Sequence, residues 1–172
     1  MGVQKDLITP AKKVGATLTF EQKQLYRYFK KWFQERHYIV VELNYKEKIT
    51  PEGKRVYTFD WYTEKRVEDY TKLSIDLSFE AEIENVRVKL HDGKTKTVQQ
   101  GDVEATFQGY VQKDTEDEWA LSKETAQRRI FREIYDKLVI KGKYSQYENQ
   151  LKKDMKAIMS DLKTYLKTHR YD

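Results

Sequence analysis

From Lys72 to Glu84 apolar and polar residues alternate without a break. Leu73, Ile75, Leu77, Phe79, Ala81 and Ile83 fall between Lys72, Ser74, Asp76, Ser78, Glu80, Glu82 and Glu84. Successive side chains of a strand point to opposite faces, so this run predicts a long strand with one apolar and one polar face. A helix would scatter the same apolar residues around its whole circumference. At Asn85 the phase slips, because Val86, Val88 and Leu90 are apolar at even positions. One inserted residue does this, which predicts a β-bulge near Glu84-Asn85. Shorter alternating runs flank it: Ile39, Val41, Leu43 and Tyr45; Tyr57, Phe59 and Trp61; Val103, Ala105, Phe107, Gly109 and Val111. Thr50-Pro51-Glu52-Gly53 and His91-Asp92-Gly93-Lys94 carry turn chemistry between such runs. Four antiparallel strands in a meander follow.

Helical spacing takes over on either side. Thr19 with Gln22 forms a capping box ahead of Leu25, Phe29, Trp32 and Phe33. Ser122 precedes a stripe of Ala126, Ile130, Phe131, Ile134 and Leu138, which Gly142 would end. Ser145 with Glu148 opens a second box ahead of Leu151, Met155, Ile158, Leu162 and Leu166. Residues 1–17 show no period and contain Gly2, Pro10 and Gly15. The expectation is an α+β chain with an arm, flexible or draped over a partner, at 1–17 and a single domain at 18–172. That domain has an N-terminal helix, a four-stranded antiparallel meander and two C-terminal helices packed on one face.

Composition narrows the chemistry. The chain has no cysteine, which excludes thiol catalysis, disulfides and cysteine-bound zinc. His37, His91 and His169 are too far apart in sequence for a metal-ligand spacing. No Gly-rich phosphate loop and no Ser-His-Asp order is present. No catalytic residue, metal ligand or cofactor is therefore assigned. The longest hydrophobic stretch, Tyr38 to Val41, is far below a membrane span, and the first residues lack the apolar core of a signal peptide. A cytoplasmic protein with no membrane partner is expected.

Charge is distributed unevenly. Residues 1–37 hold 8 basic and 3 acidic residues, residues 38–122 hold 12 and 18, and residues 123–172 hold 13 and 7. The helical parts are thus strongly basic and the sheet is acidic. Lys12, Lys13, Lys30, Lys31, Arg128, Arg129 and Arg132 are the candidate nucleic-acid contacts, supplying salt-sensitive phosphate binding. A basic helix face is also the ordinary solvated surface of a helix. Alternatively, acidic sheet and basic helices serve each other between copies, or two C-terminal helices pair along Leu151, Met155, Ile158 and Leu162.

Other constellations have ordinary readings beside functional ones. Asp76, Glu80, Glu82, Asp102 and Glu104 share the polar sheet face, where paired carboxylates suit acid-base work or a divalent cation; a wet acidic face is the plainer account. The aromatics suit base stacking, yet Tyr57, Phe59 and Trp61 lie beside Thr58 and Asp60 rather than lysines, so core packing explains them better. The stretch Lys65 to Tyr70 has no Gly or Pro. This predicts either a solvated loop or a charge network in which Lys65 or Arg66 meets Glu68, Asp69 or Asp76 and replaces the missing turn glycine.

Two stretches, Phe59-Asp60-Trp61-Tyr62-Thr63-Glu64-Lys65-Arg66-Val67-Glu68-Asp69-Tyr70 and Phe131-Arg132-Glu133-Ile134-Tyr135-Asp136-Lys137, carry a resemblance to a group of short, functionally uncharacterised archaeal proteins. The resemblance implies an archaeal source and a strands-then-two-helices order, and brings no activity with it. The functional expectation is a non-enzymatic binding protein whose basic helices contact RNA or a ribonucleoprotein such as the ribosome. The alternatives are a self-associating assembly protein, a homo-oligomer, and an apolar-ligand carrier of helix-grip type.

Overall fold

The computed structural model describes residues 3–114 and 141–168. The order is β1 (Val3–Phe20), α1 (Gln22–Glu35), β2 (Ile39–Ile49), β3 (Arg55–Glu68), β4 (Thr71–Lys89), β5 (Thr95–Asp114) and α2 (Lys141–Thr168). The strands form one five-stranded sheet in the order β1-β5-β4-β3-β2, with every neighbouring pair antiparallel.

The alternation in β4 has the predicted consequence. Leu73, Ile75, Leu77, Phe79, Ala81 and Ile83 are all buried, joined on that face by Tyr57, Phe59 and Trp61 of β3 and Val103, Ala105, Phe107 and Val111 of β5. Both helices contribute to the same core: Leu25, Phe29, Trp32 and Phe33 from α1, and Leu151, Met155, Ile158, Leu162 and Leu166 from α2. The protein is thus a helix layer on a sheet, with the opposite sheet face polar. Because β1 and β2 lie at opposite edges, α1 has to carry the chain across the sheet. Its 14 residues span about 21 Å, close to the roughly 19 Å of four inter-strand spacings.

Several expectations are corrected. The four-stranded meander with two C-terminal helices is a five-stranded sheet with α1 and α2 as the two helices among the described residues. Residues 3–20, expected as an arm running into a helix start, form edge strand β1, paired along β5 from Val3↔Asp114 to Phe20↔Gln99. The strand escaped notice because edge pairing is made by the main chain and needs no apolar run. Register shifts on both sides of Thr9, next to Pro10, also break its period. Thr19 belongs to this strand; α1 begins at Gln22, whose N–H donates to the Gln99 side-chain oxygen at 2.9 Å. Gly142 and Ser145 are both helical residues of α2, Gly142 its second, so neither separates two helices between 142 and 145. The stripe expected after Ser122 falls outside the described residues.

The predicted bulge at Glu84-Asn85 is absent, since β4 and β5 pair without a shift from Thr71↔Lys113 to Lys89↔Thr95. The phase slip has another cause. β3 stops pairing at Arg55↔Ile83 and β1 stops at Phe20↔Gln99, and beyond Asn85↔Gln99 β4 and β5 continue as a ribbon with no third strand among the described residues. With the core ended, Val86 and its partner Val98 pack on the other face, where Val98 is buried. The bulges sit instead in β1, in β2 between Glu42 and Asn44, and in β3 between Arg66 and Glu68. The β2 bulge divides the predicted apolar row. Ile39 and Val41 stand opposite Glu64 and Tyr62 on the outer face, while Tyr45 stands opposite Phe59 on the helix face. Glu42 faces the helices and accepts from Tyr26 Oη at 2.6 Å and Trp61 Nε1 at 3.2 Å.

α1 ends in a Schellman motif. His37 N–H donates to Gln34 O at 3.0 Å, Tyr38 N–H donates to Phe33 O at 2.9 Å, and the Phe33 and Tyr38 rings meet edge to face at 5.8 Å. His37 takes the left-handed position, with φ of 64°. A side chain there is strained and glycine is not, so His37→Gly should stabilise the protein by about 1 kcal/mol, read as a raised urea midpoint with unchanged slope.

Candidate anion-binding groove

α2 sorts its charges onto two flanks. Its core stripe lies over β1 and β5 at one side of the sheet, and Gly109 of β5 lets it come close: a Cβ there would sit 3.3 Å from Leu151 and Met155. On one flank Asp154 accepts from Tyr38 Oη at 2.8 Å, and Asp161 accepts from Trp32 Nε1 at 2.8 Å and Arg36 Nη2 at 3.4 Å. The Arg36 guanidinium lies 3.9 Å over the Trp32 ring, and Tyr165 stacks on Tyr28 at 4.2 Å. Burial first, and the nearby Asp161 charge second, push the Tyr28 hydroxyl up to about 12. The acidic flank is therefore engaged with α1 and the residues just after it.

The other flank is basic. Lys152, Lys156 and Lys163 follow one another at helical spacing and, with Met155, Met159 and Ser160, face Thr9 and Lys12 of β1 across a recess of about 530 Å³. Lys152 leans toward Glu148 at 3.9 Å. Among the described residues, no carboxylate pairs with Lys12, Lys156 or Lys163. Thr9 is only 5% exposed, and its hydroxyl is the buried side-chain polar atom without a hydrogen-bond partner among the described residues. Thr9 and the ammonium groups of Lys12, Lys156 and Lys163 thus line one recess with no partners among the described residues, a combination that suits an anion able to hydrogen bond.

The predicted nucleic-acid contacts are divided by this geometry. Lys12 lines the groove, whereas adjacent Lys13 ion-pairs with Glu104 at 2.8 Å on the outer face. Lys30 and Lys31 are exposed on α1, away from the groove lining, and Lys31 pairs with Glu35 at 3.6 Å. Arg128, Arg129 and Arg132 lie outside the described residues. Lys152, Lys156 and Lys163 were missed, although their spacing on one helix flank was a usable signal; Thr9 left none.

The Lys65 to Asp76 network does not form. The β3 bulge brings Glu68 opposite Thr71, onto the helix side of the sheet, where Lys143 Nζ reaches it at 3.1 Å. Hydrogen bonds from Tyr147 and Lys143 hold its carboxyl below the usual range. Lys65 lies 5.5 Å from the centre of the Tyr38 ring, and Arg66 and Asp69 are exposed. Asp76 meets Lys5 at 3.3 Å instead. The β3–β4 turn at Asp69-Tyr70 thus manages without glycine because the neighbouring bulge absorbs the twist.

On the outer face Lys5 lies 4.0 Å from the Tyr110 ring centre, and Tyr62 Oη donates to Glu64 at 2.8 Å. Burial acts against the charge on Glu64, but hydrogen bonds from Tyr62 and Lys72 outweigh it and lower its pKa. Farther along, Glu80 stands opposite Glu104 and Glu82 opposite Asp102. Lys54 reaches Glu82 at 2.8 Å, Thr17 donates to Asp102 and Lys13 pairs with Glu104, so three of these four carboxylates have partners. Among the described residues no group of three or more His, Cys, Asp or Glu is placed to hold a metal ion, and no helix is long and apolar enough to cross a membrane. No protein-family model and no curated protein matches the chain.

Proposed function

We propose that the protein is a non-enzymatic RNA-binding protein that holds the phosphate backbone in the groove between β1 and α2. The observation that carries this reading is the set of ammonium groups of Lys12, Lys156 and Lys163, which face one recess without carboxylate partners among the described residues. Uncompensated lysines are the groups that release counterions when they meet phosphates, and such binding weakens steeply with salt. Placing them on a helix and a paired strand fixes their spacing better than a loop would.

The test is the affinity for a mixed-sequence RNA measured against salt concentration. Each lysine that contacts a single strand contributes about −0.7 to the slope of log K against log salt. The combined Lys12→Ala, Lys156→Ala and Lys163→Ala variant should flatten that slope by roughly 2. A paired Lys30→Ala and Lys31→Ala variant should change it far less. Undetectable binding at ~50 mM salt, or a triple variant that binds like the parent, overturns the reading.

A second reading, association between copies, has its own observation. Edge strand β2 leaves Ile39, Leu43 and Ile49 63%, 67% and 68% exposed beside an edge with no neighbouring strand among the described residues. The seam expected along Leu151, Met155, Ile158 and Leu162 is not available for this, because those residues are buried against the sheet.

A further inference from the structure

We infer, resting on that reading, that the groove seats one unpaired nucleotide of a single strand: base against Met155 and Met159, sugar or base edge on the Thr9 hydroxyl, flanking phosphates on the lysines. Three features of the recess lead there. First, its floor is apolar and soft while its rim is cationic. Met155 is buried and Met159 half-buried, and the lysines rise on both banks, Lys12 from β1 and Lys152, Lys156 and Lys163 from α2. A purely backbone-tracking surface needs no apolar floor. Thioethers pack favourably against the flat face of an aromatic ring, and every base offers such a face.

Second, Thr9 lines the recess, and its buried hydroxyl has no hydrogen-bond partner among the described residues. A hydroxyl both donates and accepts, so it can meet a base edge or a ribose 2′-hydroxyl, whichever partner the bound nucleotide presents. Third, the lysines on α2 are spaced along the bank. Lys152 and Lys156 are one helical turn apart, about 6 Å, and Lys156 and Lys163 about 10.5 Å, so the row can follow a strand past more than one phosphate. A recess of about 530 Å³ is of the size of small-molecule sites and accepts one nucleotide unit. A base inside a duplex could reach the floor only by leaving its stack, at a cost that disfavours paired RNA.

The experiment uses the full chain and three probes: a short mixed-sequence RNA, the same RNA annealed to its complement, and vesicles of phosphatidylcholine with phosphatidylserine. The single strand should bind on the order of tenfold tighter than the duplex. Thr9→Val keeps the side-chain shape and removes only a hydroxyl that has no partner among the described residues, so its thermal unfolding should match or exceed the parent. Its affinity for the single strand should nevertheless fall several-fold, and Met159→Glu should abolish the strand-over-duplex preference. Equal binding of strand and duplex, or an unchanged affinity of Thr9→Val, overturns the nucleotide seat while leaving the lysine groove as a phosphate-backbone site. Capture by the anionic vesicles with no RNA binding overturns both.

Discussion

Gly101→Ala is expected to destabilise the protein by about 3 kcal/mol, the upper end for overpacking, and to lower its melting temperature by roughly 10 °C. A Cβ on Gly101 would lie 2.9 Å from Ile83 Cα and closer still to the Glu82 carbonyl oxygen. Both obstacles are main chain, so no rotamer change relieves them. The added methyl must push β5 away from β4 at the pair Ile83↔Gly101, where Arg55 of β3 still pairs with Ile83 and Leu18 of β1 with Gly101, so both strands are held from their other sides. Gly142→Ala provides the opposite sign. It lies in α2 with open space where its Cβ would stand, and should raise stability by up to ~1 kcal/mol through helix propensity alone. Thermal unfolding of both variants beside the parent checks the pair. Similar melting temperatures would mean that the β4–β5 contact yields without cost.

Phe29→Ala should cost about 3–5 kcal/mol. Phe29 is fully buried, with ring centres 6.3 Å from Phe59, 5.8 Å from Phe79 and 6.3 Å from Phe107. One side chain of α1 thus touches β3, β4 and β5, and its removal leaves a cavity that three paired strands cannot collapse to fill. Guanidinium denaturation should show a lower midpoint with an unchanged slope. A loss below about 1.5 kcal/mol would indicate that the helix repacks freely over the sheet.

These two sites differ in how far the amino-acid order reveals them. Phe29 belongs to a stripe at helical spacing, and its burial follows from the pattern. The alternation in β3, β4 and β5 is equally readable, because long uninterrupted ladders leave each face chemically uniform. What pattern could not show was where the register breaks. The bulge between Glu42 and Asn44 turns Ile39 and Val41 outward, and the bulge between Arg66 and Glu68 carries Glu68 to the helix side. Each reverses a face assignment that simple alternation makes with no warning. β1 was hidden for a related reason: Lys5, Leu7, Lys12 and Lys13 are exposed on an edge held by main-chain bonds. The groove was only partly visible. Lys12 stood out by charge, while Lys156 and Lys163 were hidden by the many lysines around them. Their significance depends on β1 lying across from α2, a juxtaposition between segments more than a hundred residues apart.

That juxtaposition shapes how the protein comes into being at the ribosome. β1 is made first, yet its pairing partner β5 ends at Asp114. At about 5–20 residues per second, β1 waits on the order of 5 to 20 s as an unpaired strand. Pro10, Lys5, Lys12 and Lys13 are the kinds of residue that keep a waiting strand from joining the wrong edge. The groove closes later still, when α2 emerges and settles against β1. If the groove binds as proposed, binding therefore waits for α2, and a nascent chain halted before it has the five strands but only one bank of the groove.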